Sequence, residues 1–414
     1  LLPALNGKLD CLLFAIGVSW HASYLKACAT ANVAAYRLNM PAPQINTAEI
    51  LQQRQDDISL THPSPKPAPA LSGVTDLGGR TLTLSDPLTV TSHLQLSNGS
   101  LHLKGGSGIT VAAPGSLHLH NLKVVCTGPP PPGGARVHVS GAGASAQIQD
   151  CSISQSGHDS TTTSLVKVDE GASADLEACK LHGNGTGDGL HCTEPGSTVT
   201  AANCQASGCN TGFTCDAGAT LLARGCQAAS NKGHGFLLTG PGAITATACT
   251  ASDNGGHGFS ATSASAMMQL GPGCVSRGNK GAGYEASEGA CLVAAQGCAA
   301  EKNEGSGFSS VGRTTQLLVG SNCTSTHNTG HGFHAADGGH LRVLTTGVAS
   351  HNAADGYNAE GPSSHLFVGA KSTAEGNTYG FRASHAGRIE FGGEVEASSN
   401  KQMDYACHCA GVLA

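Results

Sequence analysis

The sequence predicts an all-β fold, a parallel β-solenoid of about 24 residues per coil, with a short helical region at the N-terminus. Two observations carry that prediction. The 414 residues include 58 Gly, about twice what an average usage of roughly 7% supplies, so the chain turns often and packs closely. A hexapeptide close to Asn-x-Gly-x-Gly-Phe returns at Asn231 to Phe236, Asn254 to Phe259, Asn279 to Tyr284, Asn303 to Phe308, Asn328 to Phe333 and Asn352 to Tyr357, with weaker copies ending at Phe213 and Phe381. Its last residue falls at positions 190, 213, 236, 259, 284, 308, 333, 357 and 381, a period of 23 to 25.

Leucine-rich repeats have a similar period, but they need a Leu-x-x-Leu-x-Leu frame and a helical segment. These units instead have short alternating stretches broken by Gly and Asn, so each reads as one coil of three short strands. Glycines supply the left-handed or crowded backbone at the corners. The residue at each ring position and the one two beyond it, such as Cys215, Leu238 and Ala261, alternate inward as a strand requires. Stacked coils then place Phe213, Phe236, Phe259, Tyr284, Phe308, Phe333, Tyr357 and Phe381 in an internal ladder about 4.8 Å apart.

Two further columns follow the same period. The repeated Asn is expected to accept left-handed backbone at a corner and to hydrogen-bond its neighbour, satisfying turn groups along the rod. Cys126, Cys151, Cys179, Cys204, Cys226, Cys249, Cys274, Cys298 and Cys323 form a column of buried thiols that behave as small hydrophobes. The 17 cysteines are thereby explained without a disulfide framework, and unpaired thiols in this number favour an intracellular reducing compartment over secretion.

The chain divides into a helical cap or docking segment (1–60), a proline-rich linker (61–71), the solenoid (72–405) and a C-terminal tail (406–414). Within the first segment, Thr47 is placed to cap a helix begun by Ala48 and Glu49. The longest apolar run near the N-terminus, Cys11 to Trp20, is about half a membrane span, so no membrane span is expected. The chain starts with Leu1, which leaves an upstream leader or segment open. A formal charge of −6 with only 22 Lys and Arg leaves no basic field for a phosphate backbone, which argues against nucleic acid as a partner. About 14 coils at about 4.8 Å each make a rod of about 65 Å.

These coils resemble the right-handed parallel β-helix of the pectin-lyase-like superfamily, with the Asn-x-Gly-x-Gly-Phe units of its carbohydrate-binding and sugar-hydrolase repeat modules. The resemblance covers roughly residues 72 to 405. It implies a right-handed coil, and it admits polysaccharide lyases, hydrolases and epimerases as well as non-catalytic modules, because fold does not fix function.

The residue two before each ring is the sharpest chemical candidate. It lies between two glycines and is expected to point to solvent, which makes Asp188, His234, His257, His331 and Asp355 a candidate surface ligand column. His234 and His257 on adjacent coils, or His331 with Asp355, have the side-chain types of a transition-metal site; a solvated turn position is the plainer reading. No catalytic residue is assigned. Gly-His-Gly, a tripeptide of polygalacturonase-like enzymes, recurs here at the coil period. Their Asn-Thr-Asp is replaced by Asn210-Thr211-Gly212 and Asn328-Thr329-Gly330. The Asp-Pro-His of epimerase-like enzymes is absent, since Leu88 follows Asp86-Pro87. The coils from 190 to 350 carry few acids, among them Asp216, Asp253, Glu285 and Glu301, without evident clustering.

Most aromatics of the coils are committed to the ladder, leaving Tyr379, Phe367 and Phe391 for a sugar-stacking surface. The expectation is therefore a non-catalytic binding or scaffold module that engages a protein partner or assembly and needs no cofactor. The alternative is a carbohydrate-active enzyme, a polysaccharide lyase, hydrolase or uronate epimerase, with a glycan as partner. Two or three carboxylates converging on a coil face would reverse that order.

Overall fold

The computed structural model describes residues 73–414 except 130, 132–133, 158–162 and 409. The helical segment expected at 1–60 and the linker expected at 61–71 lie outside the described residues. Those described contain 41 strands, paired in parallel, and no helix. The fold is a right-handed parallel β-helix.

Each coil contributes one strand to a 14-stranded sheet that runs from Leu88–Val90 to Met403–His408, and its other strands to a 27-stranded sheet. The coil of Phe213–Asp216, Thr220–Arg224 and Gln227–Ala229 shows the plan. It stacks in register on Phe236–Thr239, Gly242–Thr247 and Thr250–Ser252. The stacking continues past the expected tail boundary at 406, since Val412–Leu413 still pairs with Arg388–Phe391.

The ring ladder lies inside the 14-stranded sheet, called here the ladder sheet. Phe213, Phe236, Phe259, Tyr284, Phe308, Phe333, Tyr357 and Phe381 are fully buried. Their successive centroids lie between 4.5 and 5.2 Å apart with near-parallel planes. Tyrosine replaces phenylalanine where its hydroxyl finds a carbonyl, Cys274 for Tyr284 and Gly347 for Tyr357, each at 2.7 Å, as a buried hydroxyl requires. The thiol column is buried from Cys126 to Cys323, and all described cysteines are free.

The asparagines form a second ladder. The Asn279 Oδ1 accepts from both the backbone N–H and the side-chain Nδ2 of Asn254, at 3.0 and 2.9 Å, and Asn279 repeats the pattern toward Asn303. Its Nδ2 also donates to the Ala251 carbonyl at 3.1 Å. The left-handed backbone sits one residue earlier than expected, at Ser230, Asp253, Lys302, His327 and His351, each just before its Asn. The second glycine of each Gly-x-Gly is required by crowding instead. A Cβ on Gly235 would lie 2.6 Å from the Gly258 carbonyl oxygen, and one on Gly258 2.7 Å from that of Gly283.

Candidate active site

Strand alternation places one set of side chains of the ladder sheet in the core and the other on its outer face. In Ala135–Ser140, Val137 and Val139 turn inward, leaving His138 outside; in Ser164–Asp169, Val166 and Val168 leave Lys167 and Asp169 outside. Leu190 and Cys192 orient His191 in the same way, and Phe213 and Cys215 orient Asp216. Parallel register then sets His138, Lys167 and His191 side by side on three successive coils.

These residues form two histidine–aspartate pairs around a lysine. His138 Nε2 lies 2.8 Å from Asp169 Oδ2, and Lys167 Nζ reaches the same oxygen at 2.8 Å. His191 Nε2 lies 3.1 Å from Asp216 Oδ2, while its Nδ1 faces Asp188 Oδ2 at 4.0 Å. A pocket of about 360 Å³ opens beside Lys167 and His191, with Thr186, Asp188 and Asn210 also in its lining. The second carboxylate oxygens of Asp169 and Asp216 are buried without a hydrogen-bond partner.

The three carboxyls have different electrostatics. Burial opposes the charge of Asp169, but hydrogen bonds from Lys167 and His138 outweigh it and hold the group below the usual carboxylate range. Asp216 is held low in the same way, burial being outweighed chiefly by His191. Asp188 goes the other way, pushed up by burial against the weaker pull of His191. Carboxyls driven apart in this manner divide proton-donating from charge-stabilising roles. The sequence expectation of unclustered acids is corrected here: one acid from each of three neighbouring coils converges on the face where Lys167 and two histidines stand.

The column expected at the surface is largely turned in. Thr211 and Asp355 are 2% and 1% exposed, Ala282 and Ser306 are buried, and Asp188, His234, His257 and His331 are half-buried. The reason is a hydrogen bond repeated from coil to coil. The Oδ1 of Asp188 accepts the Thr211 N–H at 3.2 Å, and the Nδ1 atoms of His234, His257 and His331 accept those of His257, Ala282 and Asp355 at 3.1, 2.8 and 3.1 Å. Each side chain thus lies along the rod and caps the next coil. Burial lowers the pKa of both His234 and His257, the latter to about 4.

His234 and His257 stack with centroids 5.1 Å apart and planes 12° from parallel. The Nδ1 of each ring already accepts a backbone N–H, from His257 and Ala282, and so has no lone pair left for an ion. His331 Nδ1 lies 3.3 Å from Asp355 Oδ2. No group of three or more His, Cys, Asp or Glu among the described residues is arranged to hold a metal. Of the column, only Asp188 joins the Lys167 cluster. His138, Lys167, Asp169 and His191 were missed because they lie on strands outside the repeated hexapeptide. Their signal was the placement of His191 one residue after the ladder position 190, which marks an outward side chain.

Among the described residues no helix is long and apolar enough to cross a membrane. Residues 135–292, which include every residue of this cluster, match the model of the right handed beta helix region family. No curated protein matches the chain significantly. Among solved structures, a mutant of the periplasmic alginate epimerase AlgG is similar over 81% of this chain and 78% of that chain, at 10% identity and a TM-score of 0.48. The A-modules of the Azotobacter vinelandii mannuronan C-5 epimerases AlgE6 and AlgE4 are similar over 78% and 76% of this chain and 91% and 90% of theirs, at 12% and 14% identity, each with a TM-score of 0.45.

Proposed function

We propose that this right-handed parallel β-helix is a carbohydrate-active enzyme whose Lys167 cluster removes the proton beside the carboxylate of a uronate unit in an acidic polysaccharide. The observation that carries the reading is Lys167 standing in register between two imidazoles, each backed by an aspartate. Removing a proton next to a carboxylate places a second negative charge beside the first, so the site needs a cation at that position. Lys167 supplies it, exchanging its contact with Asp169 for the substrate carboxylate.

His191 is the base in this scheme. Asp216 at its Nε2 fixes the ring and stabilises the imidazolium that forms, leaving Nδ1 toward the pocket and Asp188. Asp188, kept protonated to higher pH by burial, is the proton donor. Delivery to the departing glycosidic oxygen gives elimination; return of a proton to the opposite side of the carbon gives inversion. His138 with Asp169 offers a second imidazole on the other side of Lys167 for that return. Hydrolysis is carried by a carboxylic acid and a carboxylate flanking the scissile bond; here a lysine and two aspartate-backed imidazoles stand among the carboxyls, which favours proton abstraction. The substrate class is the one implied by the resemblance of the coils.

The test is incubation of the purified chain with polygalacturonate, polymannuronate and polyguluronate in deuterated water. Deuterium is expected at the carbon beside the carboxylate, or ultraviolet absorbance from an unsaturated end, both abolished by Lys167→Met. Release of reducing ends without either signal would identify a hydrolase, and no change in any of the three polymers would sink the reading.

A further inference from the structure

Seven coils beyond Lys167, about 34 Å along the rod at about 4.8 Å per coil, the outer face of the ladder sheet carries a second polar cluster. His334, Asn358 and Arg382 are register partners on three successive strands, Phe333–Ala336, Tyr357–Glu360 and Tyr379–Ser384. Each leaves a buried polar atom without a partner: His334 Nε2, Asn358 Oδ1 and Arg382 Nε. Buried polar groups in folded proteins are almost always paired, so three orphans in one row mark a place where something else completes the bonding.

The surrounding contacts fix which atoms are left over. Asn358 is 1% exposed and donates its Nδ2 to Asp355 Oδ2 at 2.6 Å, which turns its carbonyl oxygen the other way. Arg382 Nη1 lies 3.5 Å from the same Asp355 oxygen, and the guanidinium sits 5.1 Å over the Tyr379 ring. His334 packs against His331 with centroids 4.6 Å apart, and burial first, then His331, lowers its pKa to about 3, so the ring is neutral. The row therefore holds a donor at Arg382, an acceptor at Asn358 and a neutral imidazole nitrogen, all three covered from solvent until the half-buried Arg382 and His334 side chains move aside for a ligand. Asp355 offsets the charge of Arg382.

We propose that His334, Asn358 and Arg382 form a second ligand site, one that binds the hydroxyl groups of a neutral sugar unit. A hydroxyl both donates and accepts, so neighbouring hydroxyls of one sugar satisfy the Asn358 acceptor and the Arg382 donor together. A carboxylate is acceptor-only and leaves the Asn358 oxygen unpaired. The site thus differs in ligand chemistry from the Lys167 cluster, and its occupation does not depend on catalysis there.

The experiment is calorimetric titration of the whole chain with β-1,4-linked hexasaccharides of glucose, mannose and xylose, and with a galacturonate hexasaccharide. At least one neutral hexasaccharide is expected to bind with Kd below about 1 mM and more tightly than the galacturonate. Asn358→Leu is expected to weaken that binding at least tenfold, and Lys167→Met to leave it unchanged. If Asn358→Leu fails to fold, as judged by its thermal transition, Arg382→Met serves in its place with the same expected loss. The proposal is overturned if no neutral hexasaccharide binds, if the folded variant binds like the parent, or if Lys167→Met removes the binding. Loss of uronate turnover in Lys167→Met with neutral binding intact would separate the two sites.

Discussion

The Nε2 of His191 lies 3.1 Å from the Oδ2 of Asp216, although the two residues belong to different coils. The contact arises because His191 pairs in register with Thr214, and the next outward residue of that strand is Asp216. Replacing the carboxylate by an amide keeps the size but removes the charge that fixes the ring and stabilises the imidazolium. Asp216→Asn is expected to lower the rate of deuterium incorporation into a uronate polymer by about 10²–10⁴-fold, with little change in thermal transition. Steady-state kinetics beside a melting curve check it.

The raised pKa of Asp188 sets an alkaline limb. The carboxyl donates only while protonated, so activity falls as pH rises through its folded value. A profile of kcat/KM against pH should show that limb in the parent. Asp188→Asn should lower activity throughout and lose the limb, and a limb that survives would assign it to another group.

Glu285 and His257 give opposite pH signatures in stability. Their side chains lie 3.4 Å apart, and burial pushes Glu285 up to about 7 and His257 down to about 4. The folded state holds the Glu285 proton more tightly than the unfolded chain. Its contribution is full below the ordinary glutamate value of 4.5 and is lost as pH rises through about 7. For His257 the folded state disfavours the proton, so its contribution is full above 6.5 and is lost as pH falls through about 4. Glu285→Gln is expected to raise the melting temperature relative to the parent at pH 8 and to have no such advantage at pH 4, as scanning calorimetry at the two pH values would show.

The asparagine ladder predicts a graded cost along the rod. Asn279→Ala leaves the buried Asn254 N–H without the Oδ1 it donates to and removes the donor that reaches the Ala251 carbonyl. Each orphaned buried group costs about 1–3 kcal/mol. Asn400, in the last coils and only half-buried, keeps fewer such bonds covered. Urea unfolding is expected to rank Asn279→Ala well below Asn400→Ala in stability.

The fold was legible because the ring, asparagine and thiol positions each repeat over many successive coils, and a repeated position reports its own burial. The second glycine of Gly-x-Gly belongs to the same class, since it meets the same carbonyl on each next coil, as Gly235 meets Gly258. The candidate site was not legible for the converse reason. His138, Lys167 and His191 are consecutive members of a column whose residue type changes from coil to coil, through Thr214, Leu237, Ser260 and Glu285 to His334, Asn358 and Arg382, so they form no motif along the chain. Only the register brings them together. The column of His234, His257 and His331 misled in the opposite sense: its polarity recurs because each member caps an N–H of the next coil.

The in-register stack also makes the rod a ruler. Every outward group on the ladder sheet sits at a whole number of coils from every other, so the span from Lys167 to His334 changes only in steps of about 4.8 Å. Gain or loss of one 23- to 25-residue unit between them leaves each cluster intact and alters only how far apart they stand. Length discrimination between ligands reaching both places is thereby set by coil number.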